Sequence, residues 1–312
     1  MKASTFADLS LLFVALIWGA TFVVVQNAIS FLEPLAFNAV RFSIAAILLG
    51  LWLVIFERHQ LQKVDKRLLL SGIMLGFWLF IGYAFQTLGL LYTTSSKAGF
   101  ITGLSVILVP LLMIGILKQR PGMNSIAGVS AATTGLYLLT MSDVSGLNIG
   151  DAFVLICAAG FALHIVFTGK FSSSYPTLLL TAVQISTVAA LSAVSSVLFE
   201  DWQRVFQPEV IFSADVMVAL LVTSILATAL AFFIQTNFQK HTTATRVALI
   251  FAMEPVFAAI TAYFWADERL TYSALAGCAL IFAGMIFAEL PSGKFESFVR
   301  KIFPKKETDF KA

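Results

Sequence analysis

The stretch Ala98-Gly-Phe-Ile-Thr-Gly-Leu-Ser-Val-Ile-Leu-Val-Pro-Leu-Leu-Met-Ile-Gly-Ile-Leu117 carries no ionisable side chain. As a helix it rises about 30 Å, the thickness of a hydrocarbon core, and nothing in it needs water. It ends in Lys118 and the turn Arg120-Pro121-Gly122, and another apolar run follows at once. Read outward from here, the pattern repeats along the whole chain. Spans are expected at Leu9–Ile29, Pro34–Phe56, Leu68–Leu91, Ala98–Leu117, Met123–Met141, Ala152–Gly169, Thr177–Phe199, Val216–Phe238, Val247–Trp265 and Thr271–Ala288. Within those windows only Arg41 and Glu254 are permanently ionisable, with His164 as a third titratable group.

Composition agrees with that pattern. Of 312 residues, 59% are hydrophobic and 12% charged. A soluble domain carries about 25% charged residues because its surface faces water, so a soluble fold is excluded. Connections are short and bear turn residues such as Glu33-Pro34 and Tyr175-Pro176, leaving no linker that could hold a soluble domain. The first apolar run is too long for a signal-peptide core and is expected to be a retained helix. Cys157 and Cys278 lie inside apolar stretches without a metal-ligand spacing, so they read as small helix filler.

Basic residues set the orientation. With the N-terminus in the cytoplasm, sixteen Lys and Arg fall on the inner side and three (Lys97, Arg204, Arg269) on the outer. That asymmetry predicts cytoplasmic termini at both ends. The stretch 291–312 then forms a cytoplasmic basic tail, solvated or bound to lipid headgroups, and not a nucleic-acid site.

The two halves of the chain are alike. Gln86-Thr87 matches Gln235-Thr236 at an offset of 149 (86 to 235), and Lys97 matches Arg246 at the same offset. Gly128 matches Gly277 and Gly135 matches Gly284, while Ala39-Val40-Arg41 matches Ala182-Val183-Gln184 at an offset of 143 (41 to 184). Five spans per half is an odd number, so the second half enters the membrane upside down. Inverted repeats of this kind place a solute site at their interface. The expected fold is an all-α integral membrane protein of ten transmembrane helices, as two inverted five-helix repeats (8–141 and 149–290) around a central cavity.

On these residues the chain resembles the EamA-type exporters of the drug/metabolite transporter superfamily. The resemblance rests on Ile17-Trp18-Gly19-Ala20-Thr21-Phe22, on Pro34 followed by Arg41, and on Thr102-Gly103 through Pro110. It rests also on Glu254-Pro255, and on Asp267-Glu268-Arg269-Leu270 leading to Gly277 and Gly284. It implies a multi-pass cell-membrane protein that exports amino acids or other small metabolites. In one respect the halves differ: Pro110 and Pro255 are four residues out of register, and Ser105 occupies the slot of Glu254.

Glu254, near mid-span, costs several kcal/mol as an ion unless paired, protonated or hydrated. It is a candidate for proton coupling or cation contact, against a bracing role beside Pro255. Arg41 could hold a carboxylate of the solute or fix two helices together. His164 could relay protons, or bridge helices as a neutral ring. Trp18, Asn38, Trp78, Tyr83, Gln86, Phe100, Thr102 and Gln235 complete the cavity candidates, an apolar wall with a few orienting polar groups. Trp52, Tyr92, Trp202, Trp265 and Tyr272 are expected at the interfaces.

Gly72-x-x-x-Gly76 and Gly99-x-x-x-Gly103 are expected to pack helices within the chain. The expected partners are a small solute and the bilayer, with proton or ion coupling and the choice of monomer or homodimer left open. No cofactor, metal or nucleic acid is expected, and no phosphate-binding glycine loop is present for ATP. The competing readings are a lipid-moving membrane protein and an intramembrane enzyme; for the latter, one Glu and one His at depth are thin material.

Overall fold

A computed structural model describes residues 3–140, 148–265 and 271–289. Its first three helices are α1 (Ala3–Ala28), α2 (Pro34–Phe56) and α3 (Lys66–Gly89). Two pieces, α4 (Ser95–Gly103) and α5 (Ser105–Leu117), then share one span, and α6 (Met123–Thr140) follows. After α7 (Ile149–Phe171) and α8 (Thr177–Phe199) comes the short α9 (Pro208–Ile211). Next are α10 (Ala214–Ser224), a π-helical turn at Ile225–Leu230, and α11 (Ala231–Gln239). The last three are α12 (Ala244–Phe251), α13 (Glu254–Trp265) and α14 (Tyr272–Glu289). Among the described residues there is no strand. Among the described residues eight segments are long and apolar enough to cross a bilayer, and α14 and α6 are further apolar helices. The tail 291–312, the Asp267–Leu270 motif and the side chain of Trp265 lie outside the described residues.

The long helices are mostly apolar on both faces, as lipid on one side and protein on the other require. On α2, Phe42, Ala45, Leu49 and Leu53 are buried, while Ile47, Leu51, Val54 and Ile55 are exposed. Of the five aromatics expected at the interfaces, Trp52, Tyr92, Trp202 and Tyr272 are exposed.

Because lipid is as apolar as leucine, helix association here depends on close backbone approach. The pair α6 and α14 is the tightest instance. A Cβ on Gly128 would stand 2.6 Å from the Gly284 carbonyl oxygen, and one on Gly284 would stand 2.6 Å from that of Gly128. Gly135 and Gly277 make the same reciprocal contact at 2.6 and 2.5 Å. The Gly72 and Gly76 faces likewise seat α3 on Val183, Gln184 and Thr187 of α8. Of the second glycine pair, Gly103 packs on Leu136, while Gly99 meets no neighbour.

The ends of the helices are tied by polar contacts. Thr94 caps α4 by accepting from Lys97 N, and Thr243 caps α12 by accepting from Arg246 N. Glu200, just beyond α8, accepts from the backbone amides of Leu35 and Ala36 at 2.8 Å each, closing the start of α2. Burial there pushes the Glu200 carboxyl above its ordinary range, against the opposing pull of those two amides.

The glycine contacts give a direct test. Gly135→Val should destabilise the purified protein by about 1–3 kcal/mol, because carbonyl backbone cannot yield to the added methyls. Gly50→Ala, with open space around it, should be neutral or gain about 0.5–1 kcal/mol. Thermal unfolding in detergent compares the two.

Candidate functional site

Two spans are interrupted near their middles. Leu104 separates α4 from α5, and Ala252 with Met253 separates α12 from α13. Pro255 lacks an N–H and crowds the preceding turn, which accounts for the second break. The residues flanking both breaks face one cavity of about 80 Å³. That is room for several waters, each of which needs about 10–15 Å³ by this measure. A broken helix leaves amides and carbonyls without intrahelical partners, so it is tolerated at membrane depth where it lines such a space.

The walls are aromatic. Trp18 packs on Phe251 at 4.9 Å and Phe232 at 5.3 Å between ring centroids; Tyr83 packs on Phe161 at 5.2 Å. Gly19 brings α1 against the break in the opposite span: a Cβ there would stand 2.5 Å from the Glu254 carbonyl oxygen. The sequence phrase around Trp18 thus has a packing reason.

The π-helical turn supplies two anchors. The Trp18 indole donates to the Ala227 carbonyl at 2.8 Å, and Arg41 Nε donates to Thr228 Oγ1 at 2.8 Å. Such turns shift the hydrogen-bond register by one residue and are frequent at functional sites. The Arg41 guanidinium also lies over the Tyr83 ring, 4.7 Å from its centroid, and 5.1 Å from that of Phe42. A cation held in this way keeps much of its stabilisation when water is scarce.

Glu254 is the first residue of α13, where the helix dipole favours a carboxylate. Among the described residues none hydrogen-bonds or ion-pairs with its carboxylate. Arg41 and Glu254 share the cavity without forming an ion pair with each other. His164 Nε2 stands 2.9 Å from Gln184 Oε1, while Gln184 Nε2 donates to Thr236 at 3.0 Å. The amide oxygen is therefore the acceptor, and His164 presents Nε2–H to it. Gln235 donates to Gln239, which donates onward to the Ile165 carbonyl. The Gln235 carbonyl oxygen is buried without a partner among the described residues.

Of the residues singled out from sequence, Trp18, Arg41, Tyr83, Gln86, Thr102, His164, Gln235 and Glu254 line the cavity. Three do not. Asn38 is fully buried one layer back, its amide donating to Thr87 Oγ1 and the Tyr83 carbonyl. Trp78 is half-buried and meets the Phe77 ring edge to face; the neighbouring Leu79, about 100° around the helix, takes the lining place. Phe100 packs into the apolar clusters while Gly99 and Thr102 beside it face the cavity. Thr21, Phe161, Phe232 and Phe251 also line the cavity and were not among the residues expected there. The repeat offsets pointed to them: Trp18 to Phe161 and Thr21 to His164 at 143, Tyr83 to Phe232 and Thr102 to Phe251 at 149.

The comparisons with known proteins name the class. The sequence pattern of the EamA-like transporter family matches residues 5–141 and again residues 148–289. An uncharacterized transporter of Archaeoglobus fulgidus is 34% identical over 285 residues, 91% of this chain and 86% of that one. The uncharacterized transporter YoaV of Bacillus subtilis is 22% identical over 89% of this chain and 94% of its own. A protein of known crystal structure, 20% identical, superposes with a TM-score of 0.76 over 94% of this chain and 99% of the other, a likeness of fold. Multi-pass helices around an aromatic-walled cavity with a few polar groups, together with the family pattern and relatives named as transporters, define a membrane transporter. This chain belongs to the EamA-like transporter family, within the drug/metabolite transporters.

The anchors at the π-helical turn should differ in weight. Thr228→Val removes a hydrogen bond to a charged group and should cost about 1.5–3 kcal/mol; Trp18→Phe removes a neutral one and should cost about 0.5–1.5 kcal/mol. Unfolding midpoints of the purified variants check the order.

Proposed function

We propose that this protein is a secondary transporter that exports an amino acid or another small metabolite by alternating access. In this reading ten spans form two inverted five-helix repeats, 8–141 and 149–290, with both termini cytoplasmic. The observation that carries it is the make-up of the cavity wall. Trp18 faces it with Phe161, Thr21 with His164, Tyr83 with Phe232, Gln86 with Gln235, and Ser105 with Glu254. Each pair is related by the sequence offset of its half. A site whose walls come in equivalent pairs, one from each half, is what a carrier needs if the halves rock about the solute.

Three groups give that site its chemistry. Arg41 offers a fixed cation, Glu254 an ionisable carboxylate, and Gln235 a carbonyl oxygen with no donor among the described residues. Around them the aromatic rings suit an apolar portion of the solute. The bracing role for Glu254 required its carboxylate to take up backbone donors beside Pro255, and no such bond is present among the described residues. Glu254 is therefore assigned to the solute or to a coupling proton. His164, held by Gln184, is assigned the lesser part of shaping the wall.

Reconstituted protein should transport a member of an amino-acid and metabolite panel, driven by an ion gradient or by the solute's own gradient, and should be indifferent to ATP. Uptake that depends on ATP in the purified system would sink this reading. Glu254→Gln keeps the shape and removes the titration, so the pH dependence of gradient-driven transport should be lost while the protein still accumulates in the membrane. A Gln variant with an unchanged pH profile would return Glu254 to a bracing role. Orientation is tested separately: Gln62→Cys should react with an impermeant reagent only from the cytoplasm, and Phe206→Cys only from outside.

A further inference from the structure

Two ion pairs stand apart from the cavity. Lys97 Nζ lies 2.6 Å from Asp151 Oδ2, and Arg246 Nη2 lies 2.6 Å from Asp8 Oδ2. All four side chains are largely withdrawn from solvent, with exposures of 12% and 4% in the first pair and 25% and 7% in the second. We propose that these pairs are latches at opposite ends of the transport path, each released in one of the two access states. The proposal rests on the alternating-access reading above.

Four observations carry it. First, the pairs are equivalent: Lys97 maps to Arg246 at the 149 offset, and Asp8 maps to Asp151 at 143 (8 to 151). Second, each pair joins one half of the chain to the other, so rocking of the halves must lengthen one of them. Third, each cation sits three residues after a threonine cap, Thr94 or Thr243, at the start of a short helix. That helix, α4 or α12, runs directly to the break that lines the cavity. A change at the break is thereby passed along the six or seven helical residues from Arg246 to Phe251 or from Lys97 to Gly103. Fourth, on the proposed orientation the two pairs lie on opposite sides of the membrane, Asp8 and Arg246 inside, Lys97 and Asp151 outside.

The chemistry suits a latch. An N⁺–H···O⁻ contact of this length is strong when closed, and its directionality makes it fail sharply with displacement. Release need not strand the outer carboxylate, because Asp151 also accepts from Thr93 Oγ1 and from the Asn148 amide, each at 2.8 Å. Both pairs are closed in this structure. Breaking the one or the other then leads to two states linked by like-for-like exchanges, which keeps their free energies comparable.

The test uses full-length protein in right-side-out and inverted membrane vesicles. Gln86→Cys serves as the cavity reporter, the chain without it as the blank, and an impermeant maleimide as the probe. Lys97→Gln should raise labelling from the outside by about fivefold or more, with no rise from the cytoplasmic side; Arg246→Gln should do the reverse. Exchanging the inner pair, Asp8→Arg with Arg246→Asp, should restore the original balance.

Variants that change labelling equally on both sides, or leave it unchanged, would make the pairs structural braces and overturn the proposal. A swapped pair that accumulates normally without restoring the balance would do the same, and it decides the matter if a single variant fails to fold. A reporter reached from only one side under every solute and pH gradient would remove alternating access itself, and the latches with it. A reporter reached from both sides but deaf to the variants removes the latches alone.

Discussion

Inside a bilayer a backbone amide or carbonyl has no water to turn to, and each unmet group costs several kcal/mol. Continuous helix meets this demand automatically, and most of this chain consists of nothing else. What defines the protein is where the demand is met in another way. The spans break at Leu104 and at Ala252–Met253, and a third departs from α-helical bonding at Ile225–Leu230. The two breaks open on the cavity, and the π-helical turn meets Trp18 and Arg41 there. Irregular backbone is thus concentrated where polar side chains and space are also found. The site is where the rule of continuous helix is relaxed: local bonds such as that from the Met253 amide to the Ile250 carbonyl meet the demand at the breaks, and the Trp18 indole meets that of the Ala227 carbonyl.

The same economy explains the arrangement of charge. Arg41 is kept at depth by a threonine and two aromatic faces instead of by an opposite charge. Full neutralisation by a carboxylate would have left neither group able to respond to a solute. The Lys97–Asp151 and Arg246–Asp8 ion pairs stand near the starts of helices instead of in the cavity. Small residues do the corresponding work for α6 and α14, whose glycines touch carbonyl to Cα. These two helices make a stiff seam without any charge at all.

Much of this was legible in the sequence because apolar run length is a strong signal and depends on no partner. Most of the long apolar helices and the mid-span place of Glu254 follow from it, while eight of the residues that line the cavity were picked out as polar or aromatic groups within those runs. The offset match of Lys97 with Arg246 was visible too, but their partners were not, since a partner across two halves leaves no local pattern. The π-helical turn was invisible: Ile225-Leu-Ala-Thr-Ala-Leu230 reads as ordinary helix, and only contacts with Trp18 and Arg41 favour the longer bonding. Asn38, Trp78 and Phe100 were misplaced for another reason. In a helix apolar all round, periodicity no longer distinguishes the inner face, so a residue one position away can take the lining role.

The π-helical turn has a consequence for how such a cavity can change over generations. It stores one residue more than an α-helical turn would use. Losing any single residue between Ile225 and Leu230 would let the span relax to uniform helix at little cost in length. Everything beyond would keep its facing, because the residue lost is the one the wider turn absorbs, so Phe232 and Gln235 would stay on the wall; what would move are the Ala227 carbonyl and the Thr228 hydroxyl that hold Trp18 and Arg41. A one-codon deletion could thus release both anchors at a stroke, leaving the sequence of every lining residue intact. Substrate range in such a protein is open to change by register as well as by substitution.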